Sequence, residues 1–401
     1  PRFATWLARP VASHARDAAP TTEADRAWWW CIARRTWGFF ERYVGPEDHW
    51  LPPDHVQLDP TAGTAHRTSP TNVGMALNAT WGAWDLGFLP ARAAVLRLRN
   101  ALATLDRLER WHGHLLNWYD TRTLAPLAPR YVSTVDSGNL VAALVALRSG
   151  LHDVEAHGPL DARAWHGAEV VLDLVVEAHA ALPGGARDGG DVAAAVADVR
   201  AALQRGADDA AAAPALLDAL QTDLLPHLAT CALDAAERAG DPPGEAALAD
   251  LGRWLRALHD HVASLRRDRD AFLPWTDPTL ARGARNAHAG APPDLPARPT
   301  FADLDAAYDA LAARGEASGV PPARIAGART ALAELRADVM HLNGAIDAFI
   351  DGTRWDVLYD PSTQLLRLGW HVDEDRGDAN AYDLLASEAR IASFLAVATR
   401  Q

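Results

Sequence analysis

The sequence predicts an all-α fold of paired helices, and three observations support this. Long segments repeat apolar side chains every three or four residues, glycine and proline separate these segments, and one short stretch has the pattern of a β-hairpin. Paired helices form a bundle, a helical repeat array or a closed α/α toroid. The connections are longer and more aromatic than simple helix turns, which favours the toroid.

The first four helices have start and stop signals. The first spans about 22–44 and ends at Gly45-Pro46, a common helix stop. The second begins at Ser69-Pro70, where serine caps the helix and proline takes the first helical position. The third has leucines at helical spacing between 95 and 108, and the fourth opens at Asp136-Ser137. These signals predict four helices before residue 160.

The remaining chain continues as helices, with one β element near its end. Residues 160–340 are rich in alanine and are interrupted by Gly- and Pro-rich segments. Residues 355–359 and 365–370 flank Asp360-Pro361-Ser362-Thr363, which is typical of a hairpin turn between short strands. No other part of the sequence predicts strands.

Composition excludes several classes of protein. Acidic residues outnumber basic ones by 52 to 38, every non-histidine cation is arginine, and the net charge of -14 argues against nucleic acid. Cys31 and Cys231 are too far apart for a redox or zinc motif, which fits a reducing compartment. No glycine-rich phosphate loop or Gly-x-Ser-x-Gly elbow is present.

The chain has neither a signal pattern nor an apolar run of about 20 residues, so we expect a soluble segment without a transmembrane helix. It starts at Pro1 without an initiator methionine. It stops at Gln401 inside a helical pattern. We therefore expect a piece of a longer protein.

Glu388 lies within an apolar helical stripe near the end of the chain. At about 100° per residue it shares one face with five apolar residues, Leu384, Leu385, Ile391, Ala392 and Leu395. A carboxyl group in such a position is paired, hydrogen-bonded or protonated, and a raised pKa suits general acid catalysis. A structural ion pair with an arginine is the alternative.

Aromatic and polar loops provide candidate binding residues. Ten of the 15 tryptophans occur in the first 118 positions, and indole faces suit sugar rings. We expect Trp28, Trp29 and Trp30 to pack in the core instead. Residues 46–55, 117–120 and 133–139 combine aromatic, acidic and amide side chains beside predicted helix ends, and we expect them to meet at one rim. Helix capping is the alternative role for Asp136.

Two histidine pairs have the spacing of metal ligands but lack further support. His112 and His114 have no third ligand at a recognisable distance, and His259 and His261 would point apart on a helix. The sequence therefore predicts no metal and no cofactor.

Seven sequence blocks, in the same order, resemble the central region of cyclic β-1,2-glucan synthases. They extend from about Thr22 to the end of the chain, while the alanine-rich middle matches only in character. The blocks are Thr36-Trp-x-Phe-Phe40, Tyr43-Val-x-Pro-Glu-Asp-x-Trp-Leu-Pro-Pro-Asp54, Ala65-His-Arg-Thr-Ser-Pro-Thr-Asn72, Gly113-His-x-x-Asn-Trp-Tyr-Asp-Thr-Arg-Thr123, Arg130-Tyr-Val-Ser-Thr-Val-Asp-Ser-Gly-Asn-Leu140, Leu358-Tyr-Asp360 and Tyr382 to Arg390.

The resemblance implies the first part of a ring-closing module within a very large membrane enzyme. In that family a glycosyltransferase module elongates β-1,2-glucan, the central module cyclises it, and a C-terminal module resembles glycoside phosphorylases. The module would be an (α/α)6 toroid, incomplete in this chain, that works by retaining transglycosylation. Glu388 corresponds to the acid/base, and the nucleophile would follow Gln401 in a Trp-Gly-x-Ser-Glu-Ser-type motif.

Further expectations follow from the resemblance. The partners would be β-1,2-glucan and the other modules, at the cytoplasmic face of the bacterial inner membrane, and the isolated piece would be inactive. A non-catalytic glucan-binding segment and a β-1,2-glucan hydrolase are the alternatives. The predicted glucan-binding residues are Trp50, Asp54, His66, Arg67, Trp118, Asp120, Asp136, Asn139, Tyr382 and Asp383.

The resemblance also divides the chain into parts and shows where it departs from the family. Trp370, His371 and Ala381 replace the family's usual residues, which affects the expected sugar contacts. The predicted parts are a tail or linker at 1–20 and a partial toroid at 21–401, made of a loop-rich half (21–160), an alanine-rich region (161–345) and a final part (346–401) with a hairpin near 355–370 and the Glu388 helix.

Overall fold

A computed structural model describes residues 21–61, 63–183, 190–238, 244–277, 280, 298–381 and 389–399. This part of the chain is mainly helical, which confirms the predicted all-α class. The α-helices are α1 (Glu23–Tyr43), α2 (Pro70–Asp85), α3 (Ala91–Leu105), α4 (Thr134–Leu151), α5 (Ala162–Ala180), α6 (Asp191–Asp208), α7 (Ala213–Ala219), α8 (Leu225–Arg238), α9 (Glu245–Phe272), α10 (Leu304–Arg314), α11 (Pro322–Gly352) and α12 (Ala389–Ala398).

The strands are only two or three residues long. They are β1 (Val56–Gln57), β2 (Gly63–Thr64), β3 (Arg67–Thr68), β4 (Arg110–Trp111), β5 (His114–Leu115), β6 (Tyr119–Asp120), β7 (Tyr131–Ser133), β8 (Tyr359–Asp360), β9 (Leu365–Leu366), β10 (Gly369–His371) and β11 (Arg376–Gly377). The predicted hairpin is confirmed as β8 and β9, although 355–358 forms a 3-10 turn. The expectation of a single β element is wrong, because such short strands show no alternation in sequence.

Helix starts agree with the capping signals to within two residues. Thr22 caps α1 in a reciprocal pair with Asp25, and Ser69 caps α2 ahead of Pro70. Helix α4 begins at Thr134 and not at the predicted Asp136, since the Ser133 side chain accepts the backbone N–H of Asp136. The cap therefore places Asp136 in the first turn of α4.

The expectation that the consecutive tryptophans of α1 are core residues is wrong for two of them. Trp28 is 57% exposed and Trp29 is 59% exposed, whereas Trp37 is only 3% exposed. Successive helical residues point about 100° apart, so three in a row cannot face one core. Trp30 is half-buried and lies against His166.

Helix α4 is held between α2 and α12 by close backbone approach. A Cβ atom on Gly74 of α2 would lie 2.9 Å from the Cβ of Ala143, and one on Gly138 would lie 3.0 Å from the Cβ of Ala392. Glycine is needed at both positions for this spacing. The N-terminal turns of α2 and α4 consequently lie side by side.

One large cluster of buried side chains joins the helices. Helix α11 packs against α3, α4 and α9, while α5 packs against α1, α6 and α9. Closure of these helices into a toroid stays a prediction. Among the helices of the described ranges, none combines the length and the apolar character needed to cross a bilayer.

Candidate functional site

Polar side chains gather where two long loops meet the N-termini of α2 and α4. The loops are joined by strands β3 and β6, which pair Arg67 with Asp120 and Thr68 with Tyr119. We call the resulting hydrogen-bonded group the polar network. It consists of Asp54, Arg67, Thr71, Asn72, Asn117, Trp118, Asp136 and Asn139.

Asp136 is the central acceptor of the polar network. Its Oδ1 accepts from Thr71 Oγ1 at 2.6 Å, and Asn139 Nδ2 donates to the same hydroxyl at 3.1 Å. Its Oδ2 accepts from the amide nitrogen of Asn117 at 2.9 Å, in the amide orientation that satisfies both ends of that side chain. The first turn of a helix also favours negative charge. The carboxylate is thus fixed by contacts from α2 and from the loop that carries Asn117.

Trp118 and Arg67 extend the polar network towards the surface. Trp118 Nε1 donates to Asn117 at 3.0 Å, while the Arg67 guanidinium lies 4.8 Å from the centroid of the Trp118 ring. Arg67 donates to Asp54 Oδ2 from Nε at 3.1 Å and from a terminal nitrogen at 2.9 Å. Partial burial raises the pKa of Asp54, but hydrogen bonds from Arg67 and His55 keep it below its usual value. The ion pair with Asp54 therefore holds the Arg67 guanidinium against the Trp118 ring and so orients the indole.

His66 belongs to a neighbouring cluster and not to the polar network. Its Nδ1 lies 2.7 Å from Asp48 Oδ1, which also accepts from Thr121 Oγ1 at 2.5 Å. A terminal nitrogen of Arg122 lies 2.8 Å from His66 Nε2. Because guanidinium only donates, Nε2 accepts and Nδ1 carries the proton. His66 is therefore a neutral bridge between two loops.

Two further predicted residues contact the scaffold. The Asp120 carboxylate accepts the backbone N–H groups of Thr123 at 2.8 Å and Arg122 at 2.9 Å, and these bonds lower its pKa. Trp50 is half-buried, with the Arg97 guanidinium 5.3 Å from its ring centroid. Both side chains lie outside the polar network, and their roles in binding glucan stay predictions.

Three predicted residues, Tyr382, Asp383 and Glu388, lie outside the described residues. The part of the apolar stripe that follows them is described: Ala392 and Leu395 are buried, while Ile391 is 39% exposed. These residues belong to α12, which packs on α4. The described part of α12 is Ala389–Ala398.

Two of the residues that depart from the family pattern lie beside β7, the strand that leads into α4. Trp370 stacks on Trp111 with ring centroids 5.2 Å apart and planes at 22°, and the His371 ring lies 4.9 Å from that of Tyr131. Both departures are in β10, which pairs with β7 immediately before α4. Ala381 forms a bridge with Arg367.

His114 connects the start of α4 to the end of α11. Its Nε2 lies 2.8 Å from the backbone oxygen of Arg354, so Nε2 donates, and Nδ1 accepts from Ser137 Oγ at 2.9 Å. The side chain is 1% exposed. Burial lowers the pKa of His114 from 6.5 to about 4.

The protein should lose stability in acid through His114. The unfolded chain takes up a proton near pH 6.5, whereas the folded chain does so only near pH 4, so acid favours unfolding between these values. The loss should reach about 3 kcal/mol from this residue. Urea unfolding at pH 7 and pH 4 measures it. The His114→Gln variant can keep both hydrogen bonds, and its loss of unfolding free energy between pH 7 and pH 4 should be smaller than that of the wild type by about 3 kcal/mol. An identical loss in both proteins would contradict the assignment.

Fold and site together define a mainly helical protein with aromatic and hydrogen-bonding groups fixed at one end, a surface that suits carbohydrate. No protein-family model matches the sequence. Over 368 residues, 92% of its length, the chain is 32% identical to the cyclic beta-(1,2)-glucan synthase NdvB of Rhizobium meliloti (strain 1021). The chain spans 11% of that relative's length. It is homologous to a segment of this synthase family, and the resemblance predicted from the seven blocks is confirmed.

Proposed function

We propose that the chain is part of a transferase that cyclises linear β-1,2-glucan by retaining transglycosylation. The 32% identity over 92% of the chain to a cyclic beta-(1,2)-glucan synthase is the observation that carries this proposal. The longer protein would contain further modules and lie at the cytoplasmic face of the bacterial inner membrane. The partners are then the glucan and those modules, and the chain alone is inactive.

Glu388 is the proposed acid/base. It protonates the departing glycosidic oxygen while a glutamate beyond Gln401 attacks the anomeric carbon, which breaks the glycosidic bond and forms a glycosyl-enzyme. Glu388 then takes the proton of an internal hydroxyl as that oxygen displaces the enzyme carboxylate. Two inversions retain the configuration and close the ring.

The polar network is the proposed glucan-binding surface. Trp118 would pack against a sugar face, while Asp136 and Asn139 would exchange hydrogen bonds with hydroxyl groups. These groups are held by contacts within the protein, so little side-chain ordering is needed on binding. Trp50, His66 and Asp120 would contribute at the edges, and Tyr382 and Asp383 would act close to Glu388.

Product analysis tests this function against its alternatives. The longer protein is incubated with linear β-1,2-glucan, and the products are examined by mass spectrometry and for reducing ends. Rings, each one water lighter than the linear glucan of the same length, are the expected result. New reducing ends would indicate a hydrolase, and binding without conversion would indicate a non-catalytic glucan holder.

A further inference from the structure

A cavity of about 410 Å³ lies between α3, α9 and α11, and none of its lining residues belongs to the polar network. Small-molecule sites typically have volumes of about 300–1,000 Å³. The cavity is beside the N-terminal half of α3, from Arg92 to Arg99. The loops of the candidate site instead contact the other end of that helix, where Thr104 donates to the backbone of His49. The cavity is therefore a separate feature.

Both signs of charge line the cavity in equal number. It presents guanidinium groups from α3 and α9 and carboxyl groups from α9 and α11, together with a hydroxyl and several apolar side chains. Arg99 and Asp338 pair across it at 3.0 Å, and Arg267 donates to Ser264 at 2.5 Å. The three guanidiniums belong to Arg92, Arg99 and Arg267, the three carboxyls to Asp268, Glu334 and Asp338, and the apolar wall includes Val95, Leu96 and Leu335.

Asp268 is a buried residue of the lining, and its carboxyl group has an unused hydrogen-bonding position. The residue is 3% exposed, and its Oδ2 has no hydrogen-bond partner among the described residues. Burial raises the pKa of Asp268 to about 7, against the opposing effect of Arg92 and Arg267. Buried polar atoms are usually hydrogen-bonded, so Asp268 retains hydrogen-bonding capacity that the described residues leave unused.

The lining chemistry suits an uncharged ligand with many hydroxyl groups. Acidic and basic groups of similar number, one pair of which neutralises itself, give little net attraction for an anion or a cation, whereas carboxyl and guanidinium groups together accept from and donate to hydroxyls. The apolar wall can contact the C–H faces of sugar rings. We propose that this cavity is a second saccharide site, which holds a segment of linear β-1,2-glucan apart from the polar network; the choice of glucan rests on the function proposed above.

Calorimetric titration of the 401-residue chain with short linear β-1,2-gluco-oligosaccharides tests the proposal. Two variants address the cavity: Asp268→Asn changes the buried carboxyl group, and Ala331→Trp fills the space while leaving every polar group in place. Ala333→Trp is the matched control, because Ala333 is exposed on the same helix and does not line the cavity. Circular dichroism establishes that each variant is folded.

We expect binding at this site to weaken at least tenfold in Ala331→Trp and in Asp268→Asn, and to be unchanged in Ala333→Trp. Asp136→Asn should leave this site intact and weaken only binding at the polar network. Equal binding in wild type and Ala331→Trp overturns the proposal, as does occupation of the cavity by inorganic phosphate in preference to the oligosaccharide. Ring formation by the longer protein is measured separately, so the cavity proposal can fail while the function stands.

Discussion

Ring closure should be lost when Glu388 is replaced by glutamine in the longer protein, while linear glucan elongation continues. Glutamine keeps the size of the side chain but cannot donate and take back a proton. General acid–base groups contribute about 10²–10⁴-fold to rate, and in this reaction one group would serve both half-reactions. The measurement is the ratio of cyclic to linear product, with total glucose incorporated as the readout of elongation.

Two further variants make this result specific. Glu316→Gln removes an exposed carboxylate in a turn and should leave the product ratio unchanged. Glu388→Asp retains an ionisable group at a greater distance and should close rings slowly, with an altered dependence on pH. Normal cyclic product from Glu388→Gln would exclude the residue as the acid/base and favour the glucan holder.

Gly113→Ala should cause a large loss of stability. Gly113 has φ of +85° and follows His112 at φ +47°, the arrangement of a tight two-residue turn between β4 and β5. A Cβ atom at Gly113 would lie 1.9 Å from the backbone oxygen of Gly352 at the end of α11. Left-handed strain and this overlap together should cost at least about 3 kcal/mol, as measured by urea unfolding.

Gly344→Ala is the matched control for this substitution. Gly344 lies inside α11, where an added Cβ meets nothing within 4 Å. Alanine should therefore stabilise the protein there by about 0.5–1 kcal/mol through helix propensity. A similar effect of the two substitutions would show that the β4–β5 turn is not tightly docked on α11. Gly113→Ala should also weaken glucan binding, because Asn117 and Trp118 directly follow this hairpin.

The helices could be predicted from sequence because their signals are local. Capping at Thr22 and Ser69 and the leucine spacing of α3 need only a few neighbouring residues. The exposure of Trp28 and Trp29 depends on which side of α1 meets the core, and composition does not specify this. The short strands depend on partners far along the chain, such as Arg67 and Asp120.

The candidate site could be predicted in part for the same reasons. Asp136 lies in the first turn of α4 and Asn139 in the second, so the position of the helix start predicts that both lie near the loop residues. Thr71, the hydroxyl between them, is absent from the predicted binding residues, although it lies within one of the seven blocks. An aspartate followed by Thr-Arg-Thr, as at Asp120, is typical of a carboxylate that accepts the backbone N–H groups of the turn after it. This signal could have distinguished Asp120 from the other predicted binding residues.

The pairing of β7 with β10 affects the order in which the protein can assemble during synthesis. Strand β10 leaves the ribosome roughly 240 residues after β7, a delay of roughly 10–50 s at typical rates of translation. During this interval the edge of β7 that β10 covers is unpaired, and such an edge can pair with another chain. In a ribosome-bound chain that stops before Gly369, β7 therefore has no partner strand. Chaperone binding at residues 131–133 would protect this exposed edge.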